Sequence, residues 1–225
     1  MDRRPPPPFR LLAITPPTGP VEPELVDAWV EGAGDVPLAL LLRTPEATGP
    51  ETLEERRLAP IRQKAKDAGL TLLISCDFSG LDELVPMLGD AGVSGVSLRA
   101  DPPVHVLTAA RSLLGGSLLG RSCHGLPQLG DELVDFTTVA PVFEPQTLQP
   151  GRVKGQMGLQ GLRRWTAEER RTVFALGGMS PAQGTSVLDA GAHGIAGIGT
   201  FFGAPAEVVE NVRALADAIR QSTRD

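Results

Sequence analysis

Ser122 and His124 close the run SLLGRSCH, two residues apart. Side chains alternate along an extended strand, so this spacing puts the hydroxyl and the imidazole on one face and turns Cys123 to the other. Imidazole ordinarily titrates at about pH 6.5, close to working pH, which makes His124 a candidate general acid or base with Ser122 as its catalytic companion. A packed histidine with a hydroxyl partner is the simpler alternative. Cys123 reads as small apolar packing. His105 falls in a helical run and His193 in the turn AGAHG before a later strand, which gives both structural or solvated positions.

A second set of residues suits anion binding. In ALGGMSPAQ, Gly177 and Gly178 precede Ser180, which reads as an N-cap with Gln183 completing a capping box and Pro181 at the first helical position. In GIGTFFGAP, Gly199 and Thr200 form another small-residue turn. Backbone N–H groups at such turns can close on a phosphate, although glycine at a strand-to-helix turn often gives only steric relief. Arg43 and Asp77 end apolar runs and are candidate substrate contacts, or else a salt bridge with each other. Lys154 lies in FEPQTLQPGRVKGQMG, residues 143–158, a loop long enough to be functional and expected to order around a ligand.

These residues need a frame, and the chain supplies a regular one. Short β-rich runs alternate with amphipathic helical runs at a spacing of roughly 20–30 residues. The predicted strands are Leu11 to Thr15, Pro37 to Arg43, Thr71 to Asp77, Gly95 to Arg99, Ser117 to His124, Asp135 to Val142, Thr172 to Gly178 and Gly194 to Gly199. Eight β-then-α units point to a single α/β domain, a (β/α)8 TIM barrel over residues 9–225, with residues 1–8 as a Pro-rich mobile tail. A doubly wound sheet is the alternative, but no G-x-G-x-x-G follows the first strand. In a barrel of this kind reactive groups gather at the C-terminal strand ends, here Thr15, Arg43, Asp77, Arg99, His124 and Val142. Phosphate is commonly held after strands seven and eight, where both glycine turns fall.

Composition narrows the class further. The 225 residues carry 21 Lys+Arg against 27 Asp+Glu, a net charge of −6, with no basic run to release counterions from nucleic acid. No stretch approaches the roughly 20 apolar residues of a membrane span, and four prolines interrupt the N-terminus where a signal peptide would be apolar. A cytoplasmic location is expected. Cys76 and Cys123 lack metal-binding spacing and are expected to be reduced thiols. A homo-oligomer is compatible with the size, but no patch marks an interface.

The segments GRSCHGLPQLGDELVDFTTVAPVFEPQTLQPGRVKGQMGLQGL and FALGGMSPAQGTSVLDAGAHGIAGIGTFF resemble the thiamine phosphate synthase and TenI-type family. The likeness runs over about residues 71–203, on G-x-S-x-H at Gly120 to His124, the PVFEPQT loop and ALGGM; before it, only LLAIT and LLLR align. The resemblance implies a (β/α)8 barrel whose ligand is a small phosphorylated thiazole. Within the family, the synthase joins a pyrimidine diphosphate to a thiazole phosphate with Mg²⁺. Its Q-L-R-x-K pattern falls on Leu41 to Pro45, keeping Arg43 but losing the glutamine and lysine. Its Asn-Asp pair falls on Cys76 and Asp77, its second metal-binding Asp has only Asp101 nearby, shifted by about one place, and its loop lysine meets Leu148. TenI-type proteins are thiazole tautomerases that need an acid/base and a phosphate anchor but no metal. Their histidine matches His124 and their phosphate turns match Gly178 and Gly199. The resemblance therefore implies, first, a tautomerase, an isomerase without cofactor. A synthase with a rearranged cation set, using Mg²⁺, is one alternative. A non-catalytic thiazole-phosphate-binding regulatory relative is another, and an unrelated phosphosugar barrel enzyme a third.

Overall fold

A computed structural model describes residues 4–45, 49–99, 101–125, 127, 129–144, 155–167 and 172–223 of the chain. Its strands are β1 (Leu11–Ile14), β2 (Leu38–Leu42), β3 (Thr71–Cys76), β4 (Gly95–Leu98), β5 (Leu118–Cys123), β6 (Phe136–Val139), β7 (Val173–Ala175) and β8 (Gly194–Gly197). Each runs parallel to the next, and Leu11 pairs with Ile195 to close the barrel. The expected (β/α)8 barrel is the fold, and closure leaves no edge strand for an open sheet. Strand β7 ends before its predicted limit because Gly177 and Gly178 turn to φ values of 91° and 64°, outside the extended region.

Around the barrel lie α1 (Leu25–Ala33), α2 (Glu51–Glu54), α3 (Ala59–Asp67), α4 (Leu81–Leu84), α5 (Leu88–Ala91), α6 (Val104–Leu114), α7 (Gly158–Thr166), α8 (Gly184–Asp189) and α9 (Pro205–Ser222). The run LDELVPMLGDAG, read as one helix, is split into α4 and α5 by a 3-10 turn over Val85–Met87. Pro86 removes an N–H and crowds the preceding turn, which is sufficient cause. The β5–β6 connection also departs from the expected β-then-α rhythm: its described residues hold only a 3-10 turn, Asp131–Leu133. No described helix is long and apolar enough to cross a membrane.

Two apolar cores follow from strand alternation. Leu40, Leu42, Leu72, Ile74, Val96, Leu119, Cys123 and Val139 face the helices in the outer core. Leu12, Ile14, Ala39, Leu41, Leu73, Phe136, Phe174 and Ala196 fill the lumen. Phe9 plugs the lumen floor, its ring centroid 5.5 Å from that of Phe136 and 5.2 Å from that of Phe174. His193 sits at this floor, with Nε2 3.2 Å from the Phe9 carbonyl oxygen, on the side away from the mouth. The segment expected to be a mobile tail is partly placed here: Pro7 is buried and Arg4 reaches Asp135 at 3.4 Å. Phe9→Ala is expected to cost about 3–5 kcal/mol, because the floor cannot collapse onto the missing ring. Urea unfolding reads this directly, and a loss below about 1 kcal/mol would mean that the ring does not close the barrel.

Candidate functional site

The lumen alternation that buries Leu41, Leu73 and Phe136 also brings Arg43, Ser75, Ser97, Arg99, Ser122, His124 and Thr138 toward the C-terminal mouth. The strand register orders them: Ser75 pairs with Ser97, Ser97 with Gly120, and Ser122 with Thr138. One wall of the upper lumen, from β3 to β6, is therefore hydroxylated, whereas β1 and β2 below Arg43 contribute Ile14, Ala39 and Leu41.

His124 does not pair with Ser122 as a companion. Its backbone N–H donates to Asp101 Oδ1 at 2.7 Å, and its Nδ1 lies 3.1 Å from Oδ2 of the same carboxylate. Asp101 adopts φ 51°, a left-handed conformation tolerated by Asp, and donates its own N–H to the Ser122 carbonyl at 3.0 Å. The loop after β4 thus clamps the end of β5. Trp165 in α7 holds the next residue, donating Nε1–H to the Gly125 carbonyl at 2.9 Å. Ser122 Oγ lies 3.0 Å from Thr138 Oγ1, so its hydroxyl bridges β5 and β6. Cys123 faces the helices as predicted, and burial pushes its thiol up to about 12, which keeps it protonated and inert.

Two arginines stand on either side of β3. Arg43 is fixed at its backbone: Thr15 Oγ1 accepts its N–H at 2.7 Å and donates to its carbonyl at 3.0 Å. No described residue hydrogen-bonds or ion-pairs with its guanidinium. The salt bridge considered between Arg43 and Asp77 is therefore not formed. Burial, and then the charge of Arg99, lower the Arg43 pKa from its ordinary value. Arg99, at the end of β4, reaches across β3: Nε donates to Ser75 Oγ at 3.0 Å, and Nη2 to the Thr44 carbonyl at 2.7 Å and the Ser75 carbonyl at 3.1 Å. Sequence reasoning placed Arg99 at a strand end without assigning it a role. Beneath it, Ser97 is 1 % exposed and its hydroxyl has no hydrogen-bond partner among the described residues.

The two glycine turns lie side by side. Thr200 Oγ1 donates to the Met179 carbonyl at 2.9 Å and so ties the turn after β8 to the turn after β7. The capping box forms, with the Ser180 N–H donating to Gln183 Oε1 at 2.8 Å. A Cβ on Gly199 would meet nothing within 4 Å, so this turn borders open space. Gly177 and Gly178 differ: a Cβ would stand 2.8 Å from Pro141 Cα on the first and 2.7 Å from the Phe143 carbonyl carbon on the second. These glycines let the segment after β6 pack against the turn, whatever the turn also binds. Gly178→Ala is expected to cost at least about 1–2 kcal/mol from its positive φ alone. A thermal shift of less than 2–3 °C for that variant would show that the backbones can part, on the basis that 1 kcal/mol moves Tm by about 2–4 °C at this size. Lys154 lies outside the described residues, as does most of the loop that carries it.

The synthase resemblance implies Mg²⁺, a hard cation that takes carboxylate and other oxygen ligands. Asp77 stands at the mouth, but Cys76 beside it faces the helices, its thiol raised to about 12 by burial. Both oxygens of Asp101 are turned to His124. Among the described residues no three His, Cys, Asp or Glu side chains cluster as a metal site. This donor set does not fit a divalent cation held by two carboxylates.

Fold and mouth together define a (β/α)8 barrel with positive charge gathered at the ends of β2 and β4 and two linked glycine turns across the lumen. A family model described as thiamine monophosphate synthase matches residues 24–201, and the chain belongs to that family. A thiamine-phosphate synthase of Azorhizobium caulinodans is 30% identical over 198 residues, 85% of each chain. A Geobacter sulfurreducens protein provisionally assigned the same activity is 36% identical over 140 residues, 60% of this chain and 63% of its own length. The solved thiamine phosphate pyrophosphorylase of Pyrococcus furiosus shares the fold, with a TM-score of 0.70 over 95% of this chain and 96% of its own at 20% identity.

These matches correct the expected function. A tautomerase was the first expectation, yet relatives similar over most of the chain are named thiamine-phosphate synthase, including one from Moorella thermoacetica that is 29% identical over 188 residues. The isomerase assignment falls with it. The motif around His124 does not separate the two activities, because the resemblance it carries extends to both.

Proposed function

We propose that the chain is a thiamine-phosphate synthase, joining a pyrimidine diphosphate to a thiazole phosphate with departure of the diphosphate. Arg43 carries this reading: it is the one cation of the family's diphosphate-binding pattern kept in sequence, and its guanidinium stands at the mouth without a partner among the described residues. A departing diphosphate accumulates negative charge, and a fixed cation lowers that barrier more effectively in a half-buried mouth than in water. The turns at Gly177, Gly178, Gly199 and Thr200 take the phosphate of the thiazole, and Thr200 holds them in register. Asp77 contacts substrate from the end of β3. Ser122 and His124 form the polar wall between these anion sites, Ser122 fixed by Thr138 and His124 by Asp101. Lys154 is assigned to the same pocket from its loop.

The poor fit to Mg²⁺ favours one other reading, a thiazole-phosphate-binding relative without turnover. Incubating the chain with both substrates separates the two. Thiamine phosphate and pyrophosphate are expected in equal amounts; no product under any metal condition, with thiazole phosphate still bound, would leave the binder.

A further inference from the structure

β2 ends at Leu42 whereas its neighbour β3 runs on to Cys76, and their last registered pair is Leu42 with Ile74. The two strands therefore part where Arg43 leaves the sheet. Arg99 spans the gap from the end of β4: Nη2 donates to the carbonyls of Thr44 at 2.7 Å and Ser75 at 3.1 Å, Nη1 to the Pro45 carbonyl at 3.4 Å, and Nε to the Ser75 hydroxyl at 3.0 Å. One side chain thus supplies the main-chain carbonyls beyond the ladder with the donors they need. On the other side of β2, Thr15 holds both backbone groups of residue 43, and the Thr44 hydroxyl lies 3.2 Å from that of Thr52. Residue 43 is fixed from both flanks, yet its guanidinium has no hydrogen-bond or ion-pair partner among the described residues. Its placement is set by its backbone. Were Arg99 absent, the carbonyls of Thr44 and Ser75 would be open acceptors beside Arg43, and an arginine bonded to them would be withdrawn from any anion. Arg99 occupies them, and its charge, which after burial helps to lower the Arg43 pKa, repels a second guanidinium from the same place.

We propose that Arg99 is a positioning residue: by filling the carbonyls of Thr44, Pro45 and Ser75 it fixes the end of β2 and keeps the Arg43 guanidinium open to a diphosphate, an anion that Arg99 itself does not touch. The proposal rests on the synthase reading for the identity of the anion. Guanidinium suits the role, since its rigid fork of N–H donors can join several carbonyls at once where an ammonium makes a point contact. A misplacement of about 1 Å in a group that meets reacting atoms can cost on the order of 10²-fold, so a residue acting only through the backbone still reaches the chemistry.

A double-mutant cycle on the full chain, read by calorimetry with inorganic pyrophosphate, tests it. Arg99→Gln is expected to weaken binding about tenfold when Arg43 is present and less than about twofold in an Arg43→Gln background, because its effect runs through that guanidinium. Arg99→Lys keeps the charge but loses the fork, and should weaken binding about threefold, again only when Arg43 is present. Melting curves establish which variants fold, and the lysine variant carries the same cycle if the glutamine variant does not. Equal losses in both backgrounds would put Arg99 on the anion and overturn the proposal. So would no loss in either, or a wild-type chain that does not bind pyrophosphate. Failure of the synthase reading shows differently, as an absence of thiamine phosphate while the Arg43-dependent loss of pyrophosphate binding persists. Product formation with equal losses in both backgrounds would keep that reading and remove this inference.

Discussion

Arg43→Gln is expected to lower synthase turnover by about 10²–10³-fold, the usual cost of removing one preorganised group that stabilises charge in a transition state. Its stability should stay the same or rise slightly. No described protein group hydrogen-bonds or ion-pairs with the guanidinium, so truncation breaks no such contact. Glutamine keeps most of the apolar stem that fills the space beside β2, and losing the charge relieves repulsion from Arg99, the neighbour whose charge helps lower the Arg43 pKa. The backbone bonds to Thr15 are independent of the side chain. Activity and stability should therefore move apart, whereas a structural arginine would lose both together. Turnover is measured by thiamine phosphate formation and stability by urea unfolding. A variant within threefold of the wild-type rate would take Arg43 out of the reaction.

The barrel was legible because its strands are buried on both faces, so they appear as short apolar runs at regular spacing; the alternation within them already sorted Ser122 and His124 from Cys123. What each mouth residue touches was not legible. Asp101 reaches His124 only because its left-handed turn folds the loop after β4 back over β5, and no residue pattern announces that turn. Arg99 was visible as a strand end, but its reach over β3 to Thr44 depends on the spacing of three strands that are distant in sequence. Glycine turns are ambiguous for a different reason. Gly178 is required by its φ and by the Phe143 backbone pressed against it, and Gly199 by neither, yet both look alike in sequence. An aspartate at position 178 would injure the packing after β6 before it repelled any phosphate, which makes it a poor probe of binding.

Arg121→Ala is expected to cost about 3–5 kcal/mol of stability, the largest loss foreseen for a single substitution outside the apolar core. The residue lies within the G-R-S-x-H motif but on the helix-facing side of β5, opposite Ser122 and His124. Its side chain is fully buried beside the β5–β6 connection, whose described residues hold only a 3-10 turn. There Nη1 donates to the Leu129 carbonyl at 2.7 Å, Nη2 to Asp131 Oδ1 at 2.5 Å and Nε to Thr137 Oγ1 at 3.3 Å. The guanidinium thus ties that connection to the barrel. Alanine would leave the Asp131 carboxylate, which is 10 % exposed, without its cation, and would open a cavity over β5 and β6. A buried pair can break even against apolar substitutes when both partners go. Arg121→Met with Asp131→Leu should accordingly recover most of what the single variant loses, a coupling that a double-mutant cycle reads as non-additivity. Urea midpoints for the two singles and the double measure it. Additive losses, or an alanine variant within about 1 kcal/mol of wild type, would mean that the connection is held by something other than this ion pair.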